Sequence, residues 1–76
     1  MEEQIKEELE KIYKDCKIFV DFIDFRKYKI RVIIDRQKEF EIEYKWNVNF
    51  TKDYNISIIL YNIDKRIINL YKKEIK

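Results

Sequence analysis

Few residues in this chain have side chains suited to covalent or acid–base chemistry. Histidine is absent, which removes the commonest general base near neutral pH. The single cysteine, Cys16, closes an apolar stripe that opens at Met1, and that position reads as packing rather than as a nucleophile. Glu39, Glu41 and Glu43 recur at every second position, so a strand points all three the same way. Such a row can chelate a metal or share a proton, but Arg31 and Lys45 are placed to neutralise it, and a solvated face is the expectation. No glycine-rich phosphate loop, paired cysteine motif or metal-ligand spacing occurs. Catalysis needs a nucleophile with its base, a metal, or a tuned carboxylate pair. The expectation is therefore a domain that is not an enzyme, takes no cofactor or metal, and acts by binding.

Seventy-six residues suffice for one domain, expected to span 1–76. A chain this short buries only about 60% of its unfolded surface. One thiol allows no internal disulfide, and the absence of histidine leaves no ordinary zinc site. Packing must do the work, and 46% apolar and 16% aromatic residues supply it. Glycine, proline and alanine are all missing. Without glycine no position has easy access to positive φ, which argues against tight two-residue hairpins. The missing types have GC-rich codons, whereas the abundant Ile, Lys, Asn, Tyr and Phe have AT-rich ones. An AT-rich genome, such as that of a low-GC bacterium or its phage, is the expected source. Seventeen basic and fifteen acidic residues leave a net charge of +2, far from a dedicated DNA binder. No apolar run reaches membrane-spanning length and the first residues are acidic. A bacterial cytoplasmic location is expected, and the lone cysteine suits a reducing compartment.

Five segments follow one another. Residues 2 to about 15 read as a helix, with Met1, Ile5, Leu9, Ile12, Tyr13 and Cys16 on one stripe. Residues 17–25 and 28–35 read as strands, with Arg26 and Lys27 in the turn between them. Residues 39–50 alternate throughout, with Phe40, Ile42, Tyr44, Trp46, Val48 and Phe50 on one face, and read as a third strand. Thr51 is a good N-cap for a helix over 52–75, whose stripe comprises Ile56, Ile59, Leu60, Ile63, Ile67, Leu70 and Tyr71. A strand over 54–61 competes, because Tyr54, Ile56 and Ile58 also alternate. The expected fold class is α+β, in the order α-β-β-β-α: a three-stranded antiparallel meander with both helices on one face.

Even-numbered strand residues make the better core. The odd-numbered ones then share the open face, including Phe19, Asp21, Ile23, Phe25, Lys29, Arg31, Ile33, Glu41, Glu43 and Lys45. Placing Ile30 opposite Phe22 and Tyr44 aligns Asp21, Arg31 and Glu43 as an acid–base–acid row. Phe19, Ile23, Phe25 and Ile33 then form an apolar patch that a monomer rarely leaves bare. A second stripe on the long helix, Tyr54, Ile58, Tyr61, Ile68 and Ile75, is interrupted by Lys65 and Lys72. It suits a binding surface, or else it seats the first helix.

The order of elements resembles the double-stranded-RNA-binding domain in topology and length. That family opens its last helix with Lys-Lys-x-Ala-Lys, whereas this helix opens Thr51-Lys52-Asp53-Tyr54. The likeness implies an architecture. In general character the chain is also similar to the small phage-encoded inhibitors of bacterial defence systems, such as anti-CRISPR proteins. That likeness implies steric or allosteric blockade of a nucleic-acid-handling protein, with Phe19, Ile23, Phe25, Tyr54 and Tyr61 as anchors and Asp21, Glu41 and Glu43 meeting a basic target. The alternative is a nucleic-acid-binding module in which Phe19 and Phe25 stack bases and Arg26, Lys27, Lys29, Arg31 and Lys45 meet phosphates. A homodimer is a further candidate use of the open face.

Overall fold

A computed structural model describes residues 1–36 and 38–72. The elements run α1 (Glu2–Ile12), β1 (Lys17–Asp24), β2 (Lys27–Asp35), β3 (Lys38–Lys45) and α2 (Lys52–Lys72). The strands form one antiparallel sheet in the order β1-β2-β3. This is the α-β-β-β-α, α+β meander expected, and the segment from 54 to 61 is helical rather than extended.

Parity places the core. Ile18, Val20, Tyr28, Ile30, Val32, Phe40, Ile42 and Tyr44 of the sheet and Trp46 just past it are buried, all of them even-numbered. Ile5 and Leu9 of α1 and Ile56, Ile59 and Ile63 of α2 close on the same layer, so both helices cover one face. Burial of this surface, at about 25 cal/mol per Å² of apolar area, is the main stabilising term. Ile58, expected on the outer stripe of α2, is half-buried against the core, and so are Leu60, Ile67 and Leu70. Tyr71 is largely exposed and lies beneath the Lys38 ammonium, 4.8 Å from ring centre to nitrogen. The expected end of this helix, residues 73–75 including Ile75, lies outside the described residues.

Two element ends differ from expectation by more than one residue. The first helix stops at Ile12 rather than about 15, because Tyr13 leaves helical geometry at φ −101° and ψ 69°. Its hydroxyl crosses to α2, donating to the Asp64 carboxylate and sharing the Leu60 carbonyl at 3.4 Å. The third strand stops at Lys45, five residues short of Phe50. Asn47 turns the chain: its side-chain oxygen accepts from the Asn49 N–H at 2.9 Å and its carbonyl from the Phe50 N–H at 3.1 Å. Asparagine favours such turns. Val48 and Phe50 are consequently exposed, at 58% and 39%, instead of continuing the core.

The turn leads to one buried polar side chain, Asn55, which is 0% exposed. Its oxygen accepts from the Tyr44 hydroxyl and from the Asn47 N–H at 3.0 Å. Its amide nitrogen donates to the carbonyls of Asn47 and Thr51, both at 3.0 Å, and of Phe50 at 3.5 Å. The Thr51 hydroxyl caps α2 by accepting from the Tyr54 N–H at 3.1 Å. One amide thus ties the last turn of β3 to the first turn of α2.

Replacing Asn55 by Ala strands these donors and acceptors in the interior, each at about 1–3 kcal/mol. Equilibrium urea unfolding of Asn55→Ala is expected to show a loss of roughly 3 kcal/mol, with the denaturant slope unchanged. Burial, and then the hydrogen bond to Asp64, raise the Tyr13 hydroxyl above its ordinary 10.0, and burial raises Tyr28 and Tyr44 in the same direction. The folded state favours the neutral phenols. Their contribution is intact below the unfolded value and is lost as pH rises through the folded values. Stability is expected to fall above pH about 10, and Tyr13→Phe to lower stability at neutral pH while flattening the alkaline decline, as read by denaturant midpoints across pH.

Candidate interaction surface

The face of the sheet turned away from the helices carries three rows across the strands. Lys17, Ile33 and Glu39 make one, Phe19, Arg31 and Glu41 the next, and Asp21, Lys29 and Glu43 the third. This corrects the expected register. Ile30 lies opposite Val20 and Ile42, whereas Phe22 and Tyr44 flank Tyr28. The slide is two residues, so each side chain keeps its face. One residue of it arises at each turn, where Asp24 pairs with Lys27 and Asp35 with Lys38, and the other at a bulge in each hairpin, where Ile23 and Ile34 stand without partners. Lys29 therefore occupies the place between Asp21 and Glu43 that was expected for Arg31.

Every basic residue of β2 on this face is held by a glutamate of β3. Lys27 reaches Glu43 at 3.1 Å, Lys29 reaches Glu41 at 3.5 Å, and Arg31 reaches Glu39 at 2.9 Å. All three run diagonally, one row across from the residue directly opposite. The groups are about half exposed, so each pair adds at most about 1 kcal/mol to stability. Their effect is on recognition, because the positive charge along β2 is already balanced.

The apolar residues of the face are not one patch. Phe19 (44% exposed) and half-buried Ile33 lie toward one end, separated by the Asp21 row from Ile23 and Phe25 at the hairpin end. Phe22, an even-numbered residue expected inside, is exposed near the same hairpin end but on the helix side of the sheet. It is 51% exposed and meets Tyr28 edge-on at 5.6 Å. Core parity fails there because α1 buries through Ile5 and Leu9 and leaves Phe22 uncovered. Phe22 and Ile23 at the end of β1 and Phe25 in the turn thus leave apolar surface exposed at the hairpin end, with Phe22 on the helix side. Tyr54 and Tyr61 belong elsewhere, on α2, which lies on the covered side of the sheet. Tyr54 meets Phe50 edge-on at 4.6 Å, and Tyr61 lies under the Lys65 ammonium. Both remain more than half exposed, so α1 does not cover them.

Nucleophilic chemistry gains nothing from this arrangement. Burial, with the Asp15 charge beside it, raises the Cys16 thiol and disfavours the reactive thiolate. Among the described residues, no cluster of three or more potential ligands could hold a metal ion, and no helix is long and apolar enough to cross a membrane.

The hairpin tip contradicts the expectation that a chain without glycine avoids tight turns. Asp24 pairs with Lys27, leaving Phe25 and Arg26 as the turn, and Arg26 takes φ 63°. Left-handed geometry costs a side-chain-bearing residue about 1 kcal/mol or more. Two contacts offset it: the Arg26 carbonyl accepts from the Trp46 N–H at 2.7 Å, and its guanidinium stacks on Phe25 at 5.1 Å. Arg26→Gly keeps the backbone bond and removes the steric cost, so a rise in melting temperature of a few degrees is expected by calorimetry. No known protein family model matches this chain, and neither a curated protein nor a solved structure matches it.

Proposed function

We propose that this chain is a non-enzymatic protein-binding domain that docks through the hairpin end of β1 and the adjoining open face. The observation that carries the reading is the concentration of Phe22, Ile23 and Phe25, each more than 40% exposed, at one end of the sheet. Large apolar side chains at the centre of a contact, rimmed by polar groups, supply most of the affinity in protein interfaces. Phe19 extends that anchor set along β1, and Asp21, Arg31, Glu41 and Glu43 form its rim, with Ile33 beyond. The charge pattern favours protein over nucleic acid. A phosphate meeting Lys27, Lys29 or Arg31 would have to draw it away from its glutamate. Small size and bare apolar surface suit a domain that acts by blockade, as phage or mobile-element inhibitors of bacterial defence proteins do, here against a nucleic-acid-handling target in the bacterial cytoplasm. A nucleic-acid module is the second reading, favoured by Arg26 stacked on the exposed Phe25 ring, which together resemble a base-stacking platform.

Affinity capture from a bacterial lysate, with and without nuclease, separates the two. The proposal expects one defined protein to be retained after nuclease and at moderate salt. It also expects Phe25→Ser combined with Ile23→Ser to lose that protein while the circular dichroism spectrum is unchanged. Loss of every partner on nuclease treatment, with steep salt dependence, would transfer the function to nucleic acid. Dimerisation that the same double substitution abolishes would assign the surface to a second copy of the chain.

A further inference from the structure

Among the described residues, the outer edge of β3 has no strand beside it, since the sheet ends there. An uncovered edge presents unpaired N–H and C=O groups at strand spacing. Alongside it runs α2, and the two bound an open groove of about 460 Å³. The sheet side is Glu41, Ile42 and Glu43, and the helix side is Asn62, Lys65, Arg66 and Asn69. Asn62, Arg66 and Asn69 follow the i, i+4, i+7 spacing, so one helical stripe faces the edge. The Arg66 guanidinium stands 5.4 Å over the ring of Phe40, which fixes it above β3. The groove continues along Arg66, Asn69, Leu70 and Lys72.

The charges in this groove are unequal in availability. Glu41 and Glu43 are engaged by Lys29 and Lys27 on the open face. Among the described residues, neither Lys65 nor Arg66 has a carboxylate partner. The free charge facing an occupant is therefore positive. A second copy of the same edge is a poor occupant. Antiparallel self-pairing about Glu41 would oppose Glu41 to Glu41 and Glu39 to Glu43, and like charges directly opposite are destabilising.

We propose that the β3 edge and α2 form a binding groove for an extended acidic peptide segment of a partner protein. The segment adds a fourth strand through main-chain hydrogen bonds to β3. Its carboxylates meet Lys65 and Arg66, and its free main-chain edge faces the amides of Asn62 and Asn69. This site lies on a different surface from the hairpin anchor and goes beyond it.

Fluorescence anisotropy on the full chain tests the assignment with capped peptides the length of β3, which is 8 residues. One alternates threonine and glutamate, one alternates threonine and lysine, and one is the acidic peptide with a central proline. The acidic peptide should bind saturably and shift the backbone amides of Glu41, Ile42 and Glu43 in ¹⁵N spectra. The lysine and proline peptides should bind at least about tenfold more weakly, because one lacks the charge and the other a ladder donor. Lys65→Glu and Arg66→Glu should each cost about tenfold without altering the circular dichroism spectrum. Phe25→Ser should leave peptide binding unchanged, so failure here and failure of the hairpin surface remain distinct. Equal binding of acidic and lysine peptides, or undiminished binding of the proline peptide, overturns the proposal. So do shifts that bypass β3, or an oligothymidylate of equal charge binding as tightly as the acidic peptide, the last assigning the groove to nucleic acid.

Discussion

A single apolar layer, filled from one side of a three-stranded sheet, is the constraint on which the rest of the molecule depends. Eight even-numbered strand residues and Trp46 just past β3 supply its floor, and five residues of the two helices supply its roof. The one cysteine is free, and among the described residues no cluster of ligands could hold a metal in its place. Because strand side chains alternate strictly, committing the even positions to this layer commits the odd positions to solvent. The open face is thus a consequence of the core.

The helices reach that layer through a few polar contacts. Asn55 fastens the start of α2 to the end of β3, and Tyr13 fastens the end of α1 to the middle of α2. These bonds set where the helices stop covering the sheet. Beyond the reach of α1 lies Phe22, next to the hairpin end that carries Ile23 and Phe25, and beside α2 lies the edge of β3. Both surfaces proposed for recognition adjoin places where the helical layer runs out.

Much of the fold was legible because its signals are periodic. The strict alternation from Glu39 to Trp46 and the stripe of Ile56, Ile59 and Ile63 each admit one placement relative to a core. Features set by single residues were not. Val48 and Phe50 continue the alternation, but Asn47 turns the chain, and periodicity does not register a turn built from a side-chain hydrogen bond. Asn55 sits on the covered side of a helix, where its composition signals nothing until the carbonyls around it are known. In each hairpin the turn and the bulge together moved the register by two residues, which alternation cannot detect because parity is conserved. Arg26 adopts a conformation for which the chain has no glycine, and only the Trp46 bond and the Phe25 ring make it understandable. Of the interaction surface, the odd-numbered membership of the open face was readable, but its division into separate apolar groups was not. Phe22 was misplaced because core parity presumes a helix overhead, and the β3 groove requires two elements distant in sequence.

Isoleucine is spread through every element, and its methyl groups report most directly on the one-sided layer. With selectively labelled isoleucine methyls and a soluble paramagnetic probe, solvent contact is read residue by residue in the intact chain. The account predicts strong broadening for Ile23, which is 43% exposed, and none for Ile30, Ile59 and Ile63, which are fully buried. Broadening of Ile30 together with protection of Ile23 would mean that the strands face the other way, and that the surface described here lies inside the fold.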